Sequence, residues 1–476
     1  MLYEQSEIHS PIPQIILPDQ FNVATAFLER HIVEGRGPKT AIYYEGGSYT
    51  YAQINELANR VGNGLLELGL DLEQRVALLL LDSPQFAATF FGAIRMGAVP
   101  VPLNTALRPD DYVYMLNDSR ARVLVVHAPL WQTISHTLPQ LQYLRHIVVV
   151  GPDVQETAQV HSFERWTERV TPNLQVAATH KDDSAFWLYS SGSTGFPKGC
   201  VHLQHDMVYC AENYARAVLG IREDDITFSA AKLYFAYGLG NNLYFPFHVG
   251  ASAVYYPGRP LAEEMFKTIE RYRPTIFFGV PTLFASMLAL PDAEKRFDLS
   301  SLRMCVSAGE ALPSHIMRRW EEVFHTSILD GIGSTEILHI FISNRPGDIR
   351  PGSTGRLVQG YEAMIVDESG LPVIQGDIGN LLIKGESVAA YYWNKHEKTK
   401  DTMNGHWIQT GDKYFQDQEG YYWYCGRSDD MLKVGGQWVS PVEVENTLMT
   451  HPAVLDAAVV GVPDEANLIK PKAFIT

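Results

Sequence analysis

Between Tyr189 and Gly199 the chain packs four aliphatic hydroxyls (Ser190, Ser191, Ser193, Thr194), three glycines (Gly192, Gly195, Gly199) and Lys198 into eleven residues. Glycines let backbone N–H groups close around an anion, hydroxyls add further donors, and the lysine adds a point charge. This is the chemistry of a loop that holds a triphosphate. Its spacing is not G-x-x-x-x-G-K-[ST], so it is not a Walker A loop. Nor is it a hydrolase elbow, because Ser191 stands where G-x-S-x-G requires its first glycine.

Four more segments follow in order. They are Ser307-Ala308-Gly309-Glu310-Ala311-Leu312-Pro313, Asp330-Gly331-Ile332-Gly333-Ser334-Thr335-Glu336, Trp407-Ile408-Gln409-Thr410-Gly411-Asp412 and Gly426-Arg427-Ser428-Asp429-Asp430-Met431-Leu432-Lys433. With the loop, they resemble the adenylate-forming superfamily of acyl- and aryl-CoA ligases, peptide-synthetase adenylation domains and luciferases. The resemblance runs from about residue 20 to the end of the chain. It implies ATP, Mg²⁺ and coenzyme A as cofactor and co-substrates. Ser190, Ser191, Gly192, Ser193, Thr194, Gly195 and Lys198 would hold the β- and γ-phosphates. Gly309, Glu310 and Ala311 would border the adenine. Asp330, Gly331, Ile332, Gly333, Ser334 and Thr335 would line the nucleotide site, with Ile332 and Ser334 as variants of the family's Y-G-x-T-E. Glu336 and Thr194 would bind Mg²⁺, and Asp412 with Arg427 would take the ribose. Lys198, Thr194, Glu336 and His339 are the expected catalytic set.

The segments Lys232 to Asn241 and Leu338 to Asn344 resemble the aryl-CoA ligases that act on benzoate and 2-aminobenzoate. That likeness implies an acyl pocket of Phe235, Ala236, Tyr237, Gly238, Ala308, Gly331, Ile332, His339 and Ile340. An aromatic acid wants apolar walls, with donors at the mouth for its carboxylate. His339 is expected to be one such donor. Asp429 matches the hinge about which the family's small C-terminal domain swings. Lys433, Gly435 and Gly436 match the loop that meets the pantetheine. The family's second catalytic lysine belongs to a G-K segment that this sequence does not contain, so no residue here is assigned that role and the small domain is expected to be truncated. Two other readings share the motifs: a stand-alone domain that loads aryl-AMP onto a carrier-protein thiol, and a weakly catalytic aryl-AMP-binding protein.

Elements must position these residues. Arg75 to Leu81, Ala98 to Pro102, Arg122 to Val126 and His146 to Val150 are short apolar runs, as expected of strands covered on both faces. Asp82 or Ser83 is expected to cap the helix between the first two, with Pro84 in its first turn and Gly97 closing it. Strands alternating with helices predict right-handed crossovers and parallel sheets. Residues 353–425, rich in Gly, Asp and aromatics, predict a smaller β-rich unit, and Pro441 to Leu448 reads as a helix. The expected fold is α/β: a large N-terminal domain (1–427) of two doubly wound sheets plus a β-rich subdomain, then the start of an α+β C-terminal domain (428–476).

At 476 residues there is length for more than one domain. The formal charge of −16 disfavours nucleic acid and anionic membrane surfaces. The longest apolar runs are strand-sized, so no membrane span is expected. The acidic N-terminus lacks the apolar core of a signal peptide. Four cysteines without metal or disulfide spacing fit a reducing cytoplasm. Monomer and homodimer both remain open.

Overall fold

A computed structural model describes residues 15–190, 196–428, 431–434, 437–449, 451, 453–454, 457–463 and 469–476. One sheet places Val99–Pro102, Arg75–Leu79, Val123–His127, His146–Val150 and Val160–Ser162 side by side, all parallel. Alternate residues serve different cores: Val76 and Leu78 enter one, Ala77 and Leu79 the other. That two-sided burial is why these strands are apolar throughout. Helix Pro84–Arg95 begins where the Ser83 hydroxyl accepts the Phe86 N–H at 3.3 Å, and the chain turns away at Gly97, φ 86°. Asp82 does not share the cap. Its carboxylate points inward and accepts the Leu233 N–H at 3.0 Å.

The second sheet has nine strands in the order Arg356–Leu357, Ile340–Ser343, Ile328–Gly333, Met304–Ser307, Ile276–Gly279, Ile226–Ser229, Ser252–Tyr255, Thr40–Tyr44 and Gly47–Thr50. Its middle is parallel and both margins are antiparallel. At one margin Glu45 and Gly46, both with positive φ, turn Tyr44 directly back to Gly47. Such a two-residue turn fits a hairpin, not a crossover. Four neighbouring parallel strands end together near Ala230, Val280, Ala308 and Gly331. Ligands of open α/β sheets sit beyond such carboxyl ends.

The strand before the glycine-rich loop spans Ser184–Ser190. It pairs antiparallel with Lys198–Leu203, which in turn pairs with Tyr391–Tyr392. The glycine-rich stretch therefore lies between two strands that pair with each other. The β-rich unit comprises Glu362–Val366, Gly379–Lys384, Met403–Asn404, Trp407–Gln416 and Tyr422–Arg427. Beyond it, helix Pro441–Leu448 starts at Ser440, whose hydroxyl accepts the Glu443 N–H at 3.1 Å. Two antiparallel strands, Ala457–Pro463 and Ile469–Ile475, follow. No helix among the described residues is long and apolar enough to cross a membrane.

Candidate active site

Two cavities meet at the carboxyl ends of the second sheet. The first, about 750 Å³, is polar and takes in Ser190, Lys198, Glu310, Asp330, Glu336, Tyr392, Asp412 and Arg427. The second, about 830 Å³, is largely apolar and takes in Phe235, Ala236, Tyr237, Ala308, His339 and Ile340. Gly309, Glu310, Gly333, Ser334 and Thr335 border both, so the two form one continuous space.

Glu336 lies at the centre of the polar cavity. Its Oε1 accepts from the Ser190 hydroxyl at 3.0 Å and from the Tyr392 hydroxyl at 2.9 Å. Lys198 Nζ sits 4.6 Å from the Tyr392 ring centroid, a cation–π distance. Burial, and next the Glu336 carboxylate, push the Tyr392 phenol upward, so it remains a donor. Thr335 is held from behind. Its carbonyl meets His202 Nε2 at 2.8 Å, and His202 Nδ1 meets Asp206 Oδ2 at 2.7 Å, both side chains fully buried. Because both ring nitrogens face acceptors, the pair anchors the turn that carries Glu336.

Asp330, within its strand, lines the polar cavity, and burial raises its carboxyl well above the usual range. Asp412 is nearly buried, and Arg427 donates to its Oδ1 at 3.0 Å and to the Thr410 carbonyl at 3.1 Å. The two residues expected at the ribose thus bind each other. Ser191, Gly192, Ser193, Thr194, Gly195, Asp429, Gly435, Gly436 and the Lys433 side chain lie outside the described residues.

The apolar cavity is built around a loop and short helix near Tyr237. The Tyr237 hydroxyl donates to the carbonyls of Gly279 (3.2 Å) and Val306 (3.1 Å), pinning its ring across two strand ends. Phe235 is 48% exposed and stands at the rim, its ring 4.6 Å from that of Tyr234. Three expectations for this pocket need correction. His339 Nε2 lies 3.2 Å from the Tyr237 carbonyl and 3.1 Å from Asn241 Oδ1. Both are acceptors, so the ring proton is already used there. Burial lowers the imidazole to about 3, leaving it neutral. His339 is therefore a wall and not a donor to a carboxylate. Gly238 lies beneath the cavity: a Cβ there would stand 2.1 Å from the Lys232 carbonyl oxygen, so it serves backbone packing. Gly331 and Ile332 line the polar cavity instead of the apolar one.

Sequence reasoning missed Tyr392, His202 and Asp206. Only the i,i+4 spacing of His202 and Asp206 offered a local hint. Tyr392 reaches Glu336 from 56 positions away.

The AMP-binding enzyme family matches residues 29–393, and the AMP-binding enzyme C-terminal domain matches 443–476. A benzoate–CoA ligase of Thauera aromatica is 50% identical over 97% of this chain and 87% of its own length. An anthranilate–CoA ligase of Pseudomonas aeruginosa is 33% identical over 92% of this chain and 83% of its own. Among solved structures, the anthranilate CoA ligase AuaEII in complex with anthranoyl-AMP superposes with a TM-score of 0.92 at 49% identity, covering 96% of this chain and 87% of the other. A benzoate CoA ligase from Burkholderia xenovorans LB400 gives 0.87 at 45% identity, covering 96% and 89%. With its motifs meeting in one continuous cleft and the family match spanning most of its length, the chain belongs to the AMP-binding enzymes.

Proposed function

We propose that this chain is an ATP-dependent aryl-CoA ligase that activates benzoate or a small substituted benzoate such as 2-aminobenzoate. The acid carboxylate attacks the α-phosphorus of ATP, pyrophosphate leaves, and the CoA thiol then displaces AMP from the aryl-AMP. The observation that carries this reading is the continuity of an apolar cavity walled by Ala236, Tyr237 and His339 with the polar one holding Lys198, Glu336 and Asp412. An aromatic ring fits the first, a nucleotide the second, and they share the Gly333–Thr335 edge where the two would react.

Ser190 and Lys198 would hold the β- and γ-phosphates with Ser191, Ser193 and Thr194. Gly309, Glu310 and Ala311 would border the adenine with Asp330, and Asp412 with Arg427 would take the ribose hydroxyls, since carboxylates accept such pairs. No cluster of three metal-ligating side chains occurs among the described residues. Mg²⁺ typically needs only one or two carboxylates plus substrate phosphates, so Glu336 fits it. When bound, the ion would neutralise charge developing on the phosphates. Four buried, unpaired cysteines suit a reducing compartment, which we take to be the cytoplasm.

The test is a thermal-shift and turnover panel. Benzoate or 2-aminobenzoate with ATP should raise the melting temperature and support pyrophosphate exchange, because a ligand of the folded state stabilises it. Acetate and long-chain acids should do neither. A preference for an aliphatic acid would overturn the assignment.

A further inference from the structure

The strand ends carrying Ser190 and Lys198 face each other in register, and both are held by one helix of the other half of the molecule. Helix Pro109–Asp118 buries Tyr112, Met115 and Leu116 in the core of the first sheet. Its opposite side presents Tyr114 and Asp118, one turn apart and so stacked on one face. On the Ser190 side, the Tyr189 hydroxyl donates to Asp118 Oδ2 at 2.8 Å and reaches the Met115 carbonyl at 3.2 Å. On the Lys198 side, the Tyr114 hydroxyl donates to the Pro197 carbonyl at 3.0 Å. Its ring stacks on Phe196 at 4.5 Å between centroids and 21° between planes. A third tie comes from Trp393, whose indole N–H donates to the Asp118 carbonyl at 2.9 Å while its backbone N–H donates to Gly199 at 2.8 Å.

We infer that Tyr114 and Asp118 are positioning residues for the triphosphate: they fix the separation and facing of Ser190 and Lys198 without touching the nucleotide. The inference rests on the proposed role of Ser190 and Lys198 at the β- and γ-phosphates. If a group that binds only in one arrangement is held there less of the time, apparent affinity falls by that fraction. The loss should be confined to ligands that carry those two phosphates.

The experiment compares calorimetric Kd values of the whole chain for ATP and for AMP, which lacks them. Tyr114→Ala and Asp118→Ala should weaken ATP about 5- to 10-fold and leave AMP within about 2-fold. Tyr114→Phe keeps the stack and Asp118→Asn keeps an acceptor for Tyr189, so both should recover most of the loss. If the alanine variants fail to fold, Tyr114→Leu and Tyr189→Phe, which remove the ring stack and the bond to Asp118 while keeping an apolar side chain in place, make the same comparison with the same expected loss. Parallel weakening of ATP and AMP, or unchanged ATP binding in folded alanine variants, would overturn the inference. Lys198→Ala is the control for the reading beneath it. If that change leaves the ratio of ATP to AMP affinity untouched, the phosphate assignment itself falls.

Discussion

Glu336 is bonded by two hydroxyls from opposite sides, Ser190 and Tyr392, and that fixes what its loss should do. Glu336→Gln keeps the shape and removes the charge that would hold a cation. Adenylation should fall by about 10²–10³, the scale for one preorganised electrostatic group, while aryl-AMP binding persists. Tyr392→Phe removes one neutral donor and should cost about tenfold or less. Stopped assays of aryl-AMP formation would separate the two, and equal losses would mean that Tyr392 does more than orient. The motif residues Ser190, Lys198, Glu336 and Asp412 were legible in the sequence because their types and order carry the chemistry. Tyr392 and the His202–Asp206 pair were not, because their partners lie far along the chain and a lone Tyr or His has many uses. His339 was placed at the right cavity but given the wrong role, since only the fold reveals that Tyr237 and Asn241 already accept its proton. A further expectation follows: with its imidazole lowered to about 3, His339 contributes no inflection to the pH–rate profile between pH 6 and 8. His339→Gln should change the rate but not the shape of that profile.

At the scale of elements, the apolar cavity depends on a tight passage from Ala231 to Leu239. Its backbone is drawn in by the Asp82 carboxylate on Leu233 N–H, and Gly238 lies against the carbonyls of Ala231 and Lys232. A methyl at Gly238 would stand 2.5 Å from the Ala231 oxygen and 2.1 Å from the Lys232 oxygen, both backbone atoms that cannot step aside. Gly238→Ala should therefore displace the loop, weakening benzoate binding and costing about 1–3 kcal/mol of stability. Denaturant unfolding and an ATP Kd read beside the benzoate Kd would distinguish a local shift from general collapse. Ala236 differs because it faces the cavity. Ala236→Leu should leave folding intact and reduce activity on ring-substituted acids more than on benzoate. Equal losses on every acid would remove Ala236 from the ring contacts. The sequence displayed the parallel strands and the Pro441 helix through apolar runs and capping residues. It did not display the antiparallel margins of the nine-stranded sheet, because pairing direction at an edge is decided by the neighbours a strand meets. The cap of helix Pro84–Arg95 is narrowed for the same reason: Asp82 and Ser83 are both acceptable caps, and only the distant Leu233 N–H, which takes Asp82, selects Ser83.

At the scale of the whole molecule, the buried His31 and His339 and the half-buried His127 govern how stability responds to acid. His31 and His127 are lowered to about 4 and His339 to about 3, burial being the first cause in each. Two of them have a partner that requires the neutral ring: Arg36 Nε donates to His31 Nδ1 at 2.8 Å, and the Leu81 N–H donates to His127 Nδ1 at 3.1 Å. Below pH 6.5 the unfolded chain takes up protons that the native state refuses, so this stability is present above 6.5 and drains away as pH falls toward 4. Between pH 7 and 5 each histidine should cost about 2 kcal/mol. Asp82 acts oppositely, because burial lifts it to about 6 against the pull of Lys232. Its protonation returns about 1 kcal/mol over the same interval. The three histidines outweigh Asp82, so these four groups together should lower stability by several kcal/mol between pH 7 and pH 5, with the raised Asp330 carboxyl acting in the same direction as Asp82. His127→Asn offers an acceptor for the Leu81 N–H but cannot protonate. Urea unfolding of this variant should show a pH dependence shallower by about 2 kcal/mol between pH 7 and 5 than the parent. Parallel curves for the two proteins would mean that His127 is not among the groups that set acid stability.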